Sequence, residues 1–437
     1  MTDSVWNNNV IMPSFPALEH DLKTDVLIVG GGMAGNLCAN MLEQAGVNYA
    51  LIEADRICSG VTRNTTAKIT SQHGLIYEKL LRMHGPEIAR KYWEANEAAI
   101  TAYRKLAQSI DCNFTQADNY IYSKDNLQKL EAEKEALDKL GIPAELITET
   151  QLPFSVKGAI RFRNQAQFHP LKFAAEIAKD LHIYEHTSAR EFAGNRVLTD
   201  YGTITASKII ITTHFPLINK HGGYFLKLYQ QRSFVLALKN AQNIDGMYLD
   251  AEENGLSFRS HGEYLLLGGG GHRTGKEGGG WESLREFAKK YYPKAKEVTH
   301  WATQDCISLD GIPYIGRYGR NTPDLFVATG FNKWGMTSSM VAAMILSDMV
   351  QGKENPYAQV FRPNRSLLRK QLFANALESA GNLLTLKKPR CPHLGCALRW
   401  NRQEHSWDCP CHGSRFDQDG KLLENPATAD LKKKSHI

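Results

Sequence analysis

The chain has 437 residues, 42% of them apolar and 22% charged, enough for two or three domains whose cores need no disulfide staples. Its formal net charge of +6 is scattered, which argues against a nucleic-acid partner, and the basic run Lys432–Lys434 reads as a solvated tail. No stretch approaches the ~18 apolar residues of a membrane span, and the polar start MTDSVWNNNVIMPSFP is no secretory signal, so a cytoplasmic address is expected.

The first element is DVLIVG, a continuous apolar run of the kind that forms a parallel strand buried on both faces. NLCANMLEQAG then shows helical periodicity with Gly46 as its stop, and YALIEA is a second buried strand. Between them stands Gly30-x-Gly32-x-x-Gly35, with Met33 and Ala34 inside it. The first glycine permits a tight turn, the second lets backbone approach a pyrophosphate, and the third packs helix against strand. The helix N-terminus aims its N–H groups at the phosphates. Glu53, at the end of the second strand and followed by Ala54, is placed to accept from a ribose hydroxyl. Strand, turn, helix and acid together make a dinucleotide fingerprint.

Residues 86–108 and 125–140 read as polar helices, the second closing at Gly141, and Phe173 to Leu181 as a third. REFAGNRVLTD and GTITASKIIITT return as strands to the buried sheet. From about 223 to 305 the pattern is strand-rich, as in a mostly antiparallel second lobe. Gly268 to Gly271 mimic a phosphate loop, but no apolar helix or strand-ending acid follows, so a strand end is the better account. TPDLFVATGF is again a buried strand entering a turn, and MTSSMVAAMILSDMV is the apolar helix after it.

Past Glu53 the text DRICSGVTRNTTAKITSQHGLIY, with Gly60, Thr62, Thr65, Thr66 and Ala67, resembles the D-amino-acid-oxidase superfamily of FAD enzymes (glycine oxidase, sarcosine oxidase and relatives). DGIPYIG and LFVATGFNKWGMTSSMVAAMI add a second match, carrying Gly330, Gly335, Met336 and Thr337. The resemblance spans roughly residues 20–350. It implies FAD, with the first segment along the pyrophosphate and flavin ring. It also implies that the helix near Met336 turns its positive end toward the flavin N1/C2 region. The expected fold is α/β: a Rossmann-like FAD-binding domain (20–80, 155–220 and 306–352) with an inserted substrate lobe (81–154 and 221–305). Candidate substrate-side residues are His73, Arg232, Arg259, His272, Lys333 and Trp334. Either arginine offers a bidentate clamp for a carboxylate, and an equally ordinary role as a structural ion-pair partner.

Residues 353–388 read as a linker with an amphipathic helix. Beyond it, four of the eight cysteines crowd into twenty-one residues. Cys391-x-His393 and Cys409-x-x-His412 supply two thiolates and two imidazoles from paired loops. Tetrahedral zinc suits two Cys and two His as well, but this spacing is unusual for it. CPHLGC and CPCHGS resemble Rieske proteins, which implies a [2Fe–2S] cluster with one iron on two thiolates and the other on two imidazoles. By the same resemblance Cys396 and Cys411 pair as a disulfide, Ser414 donates to a bridging sulfide, and Phe416 replaces a potential-raising tyrosine. A reducing cytosol leaves the disulfide open.

Only TLKKPR separates the linker helix from Cys391, so the base sheet of a full Rieske domain has no room. Two short hairpins remain, the second turning at Asp419-Gly420. So small an all-β module, residues 389–437, can scarcely bury its own core, and docking on the flavoprotein is expected, either with Trp400, Trp407 and Pro426 at the contact or with the tryptophans packing the miniature core instead. The fusion resembles FAD-dependent oxidoreductases with a C-terminal Rieske domain. It implies oxidation of a small amine or amino acid by hydride transfer to flavin, with electrons passing singly through the cluster to an external acceptor protein. Two other readings stay open: a reductase fed by a ferredoxin-like donor, and a non-catalytic electron-transfer or redox-sensing protein.

Overall fold

The computed structural model describes residues 3–8, 10–252, 255–365, 372, 375, 382 and 388–432. Leu22–Val29 is the centre of the first sheet, with strands in the order Tyr314–Arg317, Leu325–Thr329, Thr203–Ile211, Leu22–Val29, Tyr49–Ile52 and Ile183–Tyr184. All neighbours pair in parallel except the first two. The apolar runs are continuous because alternate side chains enter different cores. Val26, Ile28 and Leu51 pack with the helices Met33–Gln44 and Gly335–Val350, whereas Leu27, Val29, Ala50 and Ile52 pack on the opposite face.

The second sheet runs Lys296–Ser308, Leu228–Lys239, Tyr264–Arg273, Ser257–His261, Met247–Asp250, Thr115–Ser123, Gly158–Gln167 and Lys68–Ile69. It is antiparallel apart from the pairing of Met247–Asp250 with Thr115–Ser123. Lys68–Ile69 and Gly158–Gln167 thus belong to this sheet, although the sequence pattern assigned both to the dinucleotide domain. Their register with Thr115–Ser123 is a long-range choice that no local pattern reveals. The first polar helix is preceded by a helical segment from Tyr77; Gly85, non-helical at φ 80°, breaks the two apart, so the helix expected from residue 86 starts at Pro86 and runs to Leu106. The glycines at 268–271 lie within the strand Tyr264–Arg273. A Cβ on Gly270 would meet the Gly280 carbonyl oxygen at 2.2 Å, so the run lets a helix start close against the strand.

The C-terminal module is a four-stranded sheet of Arg399–Asn401, Ser406–Asp408, Arg415–Phe416 and Leu422–Glu424. Its core is Leu398, Phe416 and Ala427 together with four cysteines. Most of the linker and its expected helix lie outside the described residues; Ala358–Phe361 is a single helical turn at its start.

Candidate dinucleotide and cluster sites

Gly30 takes φ +112°, and a Cβ on Gly35 would fall 2.0 Å from the Gly30 carbonyl oxygen, so turn and helix approach as only glycine allows. Glu53 is half-buried, partial desolvation raises its carboxyl, and it accepts from the N–H of Gly31 at 2.7 Å and of Asp55 at 3.0 Å. The Met33 N–H donates to Thr62 Oγ1 at 3.1 Å, tying the segment after Glu53 to the helix start. That segment is then clamped from outside. Trp6 donates to the Thr65 carbonyl at 2.6 Å and Trp301 to the Asn64 carbonyl at 2.9 Å. Arg259 donates to the carbonyls of Thr66, of Ala67 at 3.0 Å and of Phe168 at 3.0 Å. Trp6 was not legible as a site residue, since its partner lies 59 positions away.

A cavity of about 1950 Å³ opens over this turn, roughly twice the ~1,000 Å³ upper range of small-ligand pockets. Gly30, Gly32, Met33, Ala34, Glu53, Ala54, Gly60, Thr62, Thr65 and Thr66 line it, with Gly330, Gly335 and Met336 across from them. Gly35, Ala67 and Thr337 stand behind that wall. The helix Gly335–Val350 begins at Trp334 with no side-chain cap, so its first N–H groups are available where the cavity meets them. These features fit a flavin dinucleotide: a glycine cradle, a half-buried acid and two helix N-termini.

The substrate-side candidates separate. His73, Lys333 and Trp334 line the cavity. His73 stacks on Trp334 at 4.8 Å, and its ring nitrogens meet Tyr92 Oη at 2.6 Å, the Thr70 carbonyl at 2.8 Å and Thr337 Oγ1 at 3.0 Å. Burial drives its pKa down to about 3, so it is neutral. Arg259 is spent on backbone carbonyls and does not line the cavity, which corrects its expected role as a carboxylate clamp. Arg232 also lines the cavity but is buried and paired with Glu404 and Glu424 of the C-terminal module, the ion-pair role the sequence left open for it. His272 stacks on Phe234 at 5.4 Å beside that ion cluster and is not among the cavity residues. Lys68 was overlooked. It is 8% exposed, faces the cavity, and its Nζ meets Thr66 Oγ1 at 3.0 Å. Burial, aided by Arg259, lowers its pKa to about 7.

In the module, Cys391 and Cys409 face each other, and the His393 and His412 rings stand 4.9 Å apart. The facing Cys409 lowers the Cys391 thiol to about 7, whereas the facing Cys391 and burial push Cys409 up; N–H groups of each loop, His393 and Leu394 for Cys391, Cys411 and His412 for Cys409, work in the lowering direction. Burial keeps both imidazoles neutral, with pKa values lowered to about 4 and 3. Among the described residues, His393 Nδ1 and both ring nitrogens of His412 are buried without a partner of hydrogen-bond geometry. Two thiols and two neutral imidazoles with orphaned nitrogens fit a cluster. Cys396 and Cys411 form a disulfide between the loops. The buried Ser414 hydroxyl meets the Cys391 sulfur and accepts from the Ala427 N–H at 3.0 Å. Phe416 is fully buried in the small core.

The module docks through polar groups, not through its tryptophans. Trp400 and Trp407 pair across their hairpin at 5.2 Å, and Trp400 is 39% exposed. The contact is made by Arg232 with Glu404 and Glu424, by Gln230 donating to the His412 carbonyl at 2.8 Å, and by Gln304 donating to the Gly413 carbonyl at 2.9 Å. Asn425, just before Pro426, donates to the Thr213 carbonyl at 2.5 Å. Gly413 has φ +86°, and a Cβ there would sit 2.7 Å from Gln230 Cβ, so close docking requires glycine.

Residues 25–349 match the FAD dependent oxidoreductase family model, and residues 347–434 match the Rieske [2Fe-2S] domain model. The chain belongs to the FAD dependent oxidoreductase family and carries a C-terminal Rieske [2Fe-2S] domain, so its cofactors are FAD and a [2Fe–2S] cluster. It is 37% identical to YhfW of Bacillus subtilis (strain 168), named for a Rieske 2Fe-2S iron-sulfur protein, over 98% of this chain and 97% of that one. A 41-residue stretch is 49% identical to the cytochrome b6-f complex iron-sulfur subunit of Nostoc punctiforme, covering 9% of this chain and 23% of that one. In fold it is similar to glycine oxidase from Geobacillus kaustophilus (TM-score 0.68, 19% identity, 79% of this chain and 100% of that one). L-proline dehydrogenase from P. horikoshii is also similar (TM-score 0.65, 17% identity, 79% and 98%). No helix among the described residues is long and apolar enough to cross a membrane.

Proposed function

We propose that this oxidoreductase oxidises a small amine or amino acid at FAD and passes the electrons singly through a cluster on Cys391, Cys409, His393 and His412 to an external acceptor. FAD supplies two-electron chemistry and the cluster one-electron transfer. One observation carries the reading: the cluster loops are bonded to strands that wall the flavin cavity. Gln304 lines that cavity and holds the Gly413 carbonyl; His214, also on the cavity, meets Gln230 at 3.1 Å, which holds the His412 carbonyl. Such a junction suits electron exchange within one molecule better than an appended, independent head.

Lys68 is the cation that this reading assigns to a substrate carboxylate. No carboxylate pairs with it among the described ion pairs, and it faces the cavity. His73, Lys333 and Trp334 shape the flavin side of the same space, and Glu53 with Gly30, Gly32 and Gly35 holds the dinucleotide. The test is anaerobic mixing of the holoprotein with a panel of amines and amino acids, read by flavin absorbance and by EPR of the cluster. Bleaching with appearance of the reduced-cluster signal supports the proposal. Reduction only by a reduced ferredoxin-like donor would reverse the direction of flow, and no response to either would leave an electron-transfer or sensing role.

A further inference from the structure

An imidazole that binds iron uses one ring nitrogen and keeps its proton on the other. That remaining N–H needs an acceptor, and the acceptor tunes how strongly the ring donates to the metal. In the C-terminal module the two imidazoles are unequal. His393 Nδ1 is buried with no partner, while its Nε2 lies 3.0 Å from Asn219 Oδ1. Among the described residues neither ring nitrogen of His412 reaches a partner with hydrogen-bond geometry, the Phe225 backbone being a looser neighbour. Nδ1 is therefore the atom of His393 left for iron, and Nε2 carries the proton that Asn219 accepts.

Asn219 is not part of the cluster module. It lies on the segment after Thr203–Ile211, a central strand of the dinucleotide sheet. The same segment carries Thr212, whose hydroxyl donates to the Gly30 carbonyl at 2.9 Å in the phosphate turn. It also carries Phe215, whose ring stands 6.1 Å from both His393 and His412. Asn425 of the module donates to the Thr213 and Phe215 carbonyls, fixing that segment against the cluster loops. The eight residues 212–219 thus run from the dinucleotide turn to the outer nitrogen of an iron ligand.

We infer that Asn219 is a positioning residue for the cluster, supplied by the flavoprotein domain, which orients His393 for iron through Nδ1 and makes that one ligand the stronger donor. The inference rests on the four-ligand assignment proposed above. An amide oxygen accepting from Nε2–H makes the imidazole more electron-rich, favours the oxidised cluster and lowers its potential. A carboxylate in its place strengthens the effect and an apolar side chain removes it.

The experiment uses the full-length holoprotein and two variants, Asn219→Leu and Asn219→Asp, with redox titration of the cluster followed by EPR and ¹⁵N pulsed EPR of its histidine nitrogens. Flavin absorbance serves as the control for fold. The expected result is a signed series: the midpoint shifts up in the leucine variant and down in the aspartate variant, with one of the two histidine nitrogen couplings altered. A role in packing alone would not reverse sign between them. Unchanged midpoint and couplings in both variants would overturn the inference while leaving the ligand assignment intact. If the leucine variant loses its cluster, the isosteric aspartate variant decides, and an unshifted midpoint there overturns the inference. A wild-type protein with no Rieske-type EPR signal would overturn the ligand assignment and this inference together.

Discussion

The two cofactor sites of this chain are built on opposite plans. At the dinucleotide turn, Gly30 through Glu53 lie within two dozen residues, and the strand, helix and acid that shape the site are neighbours in sequence. At the cluster, the ligands are also close in sequence, but much of what holds them lies far away: Arg232 pairs with Glu404 across 172 positions and Gln230 reaches His412 across 182. A local motif can therefore announce a cofactor without containing the structure that supports it. The flavin site brings its own sheet and helices. The cluster module has a core of a few side chains and borrows an inter-sheet ion network, two glutamines and an asparagine from the flavoprotein.

The sharpest way to break this contrast is to separate the parts. Residues 385–437 expressed alone should fail to retain a stable cluster, read as loss of the visible iron–sulfur absorbance after reconstitution. Retention comparable to the full chain would show that the module supports itself, and the borrowed contacts would then be incidental.

Next in size is Arg232→Met. Arg232 and Arg415 sit among Glu404, Asp408 and Glu424, with Arg232 and Glu404 side chains only 2% and 8% exposed. Burial works to raise the Glu404 carboxyl, but the two arginines outweigh it and hold its pKa near about 2. Removing one partner of a buried pair costs about 3–5 kcal/mol, because the other charge stays buried and unpaired. The variant should lose its cluster at a lower temperature than its flavin, whereas wild type should lose both together. The acid dependence has the same origin. Glu404 titrates lower in the folded chain than in the unfolded one, so its contribution is complete above about pH 4.5 and fades as pH falls toward 2. Cluster loss that begins well above pH 5 would point to another group.

The sequence was clear where periodicity and spacing are local. The glycine turn, both buried strands, the helix closing at Gly141 and the cysteine–histidine loops could all be read from it. It was opaque where a side chain's partner depends on how sheets pack. Arg232 and Arg259 both lie on strands of the second lobe, and nothing in the alternation of those strands tells whether an arginine faces a ligand, a backbone carbonyl or another domain. Lys68 was hidden for a related reason, since its two-residue strand pairs with a segment nearly a hundred positions on. Of the two roles open to the tryptophans, packing within the module is the one seen, because here the docking anchors are charges and amides.

A smaller perturbation probes closeness rather than charge. Gly413→Ala places a methyl 2.7 Å from Gln230 Cβ at a backbone φ of +86°. Strain and overpacking should weaken docking by about 1–3 kcal/mol, visible as a lowered midpoint for thermal cluster loss with flavin unfolding unaffected. An alanine variant that keeps wild-type cluster stability would show that the module sits less tightly on Leu228–Lys239 than the geometry indicates.

The last prediction returns to the flavin cavity, where the contrast is expected to blur, because Lys68, a charge overlooked there, is also placed by non-local pairing. Lys68 is buried beside Arg259, and both effects disfavour its charged form, so it is protonated below about pH 7 and neutral above. A carboxylate ligand in the cavity should therefore bind more tightly on the acid side and weaken as pH rises through 7. A charge-assisted hydrogen bond is worth about 1.5–3 kcal/mol, so Lys68→Met should reduce carboxylate affinity by about tenfold or more at pH 6 and remove the pH dependence. Perturbation of flavin absorbance by a simple aromatic carboxylate, titrated between pH 5.5 and 9, measures both. Binding that is equally strong and equally pH-dependent in the methionine variant would assign the anion site elsewhere, with Lys333 and Arg232 the cavity-lining cations among the sequence candidates. Loss of affinity with the pH profile retained would make Lys68 a packing residue instead, since only removal of the titrating cation can flatten the profile.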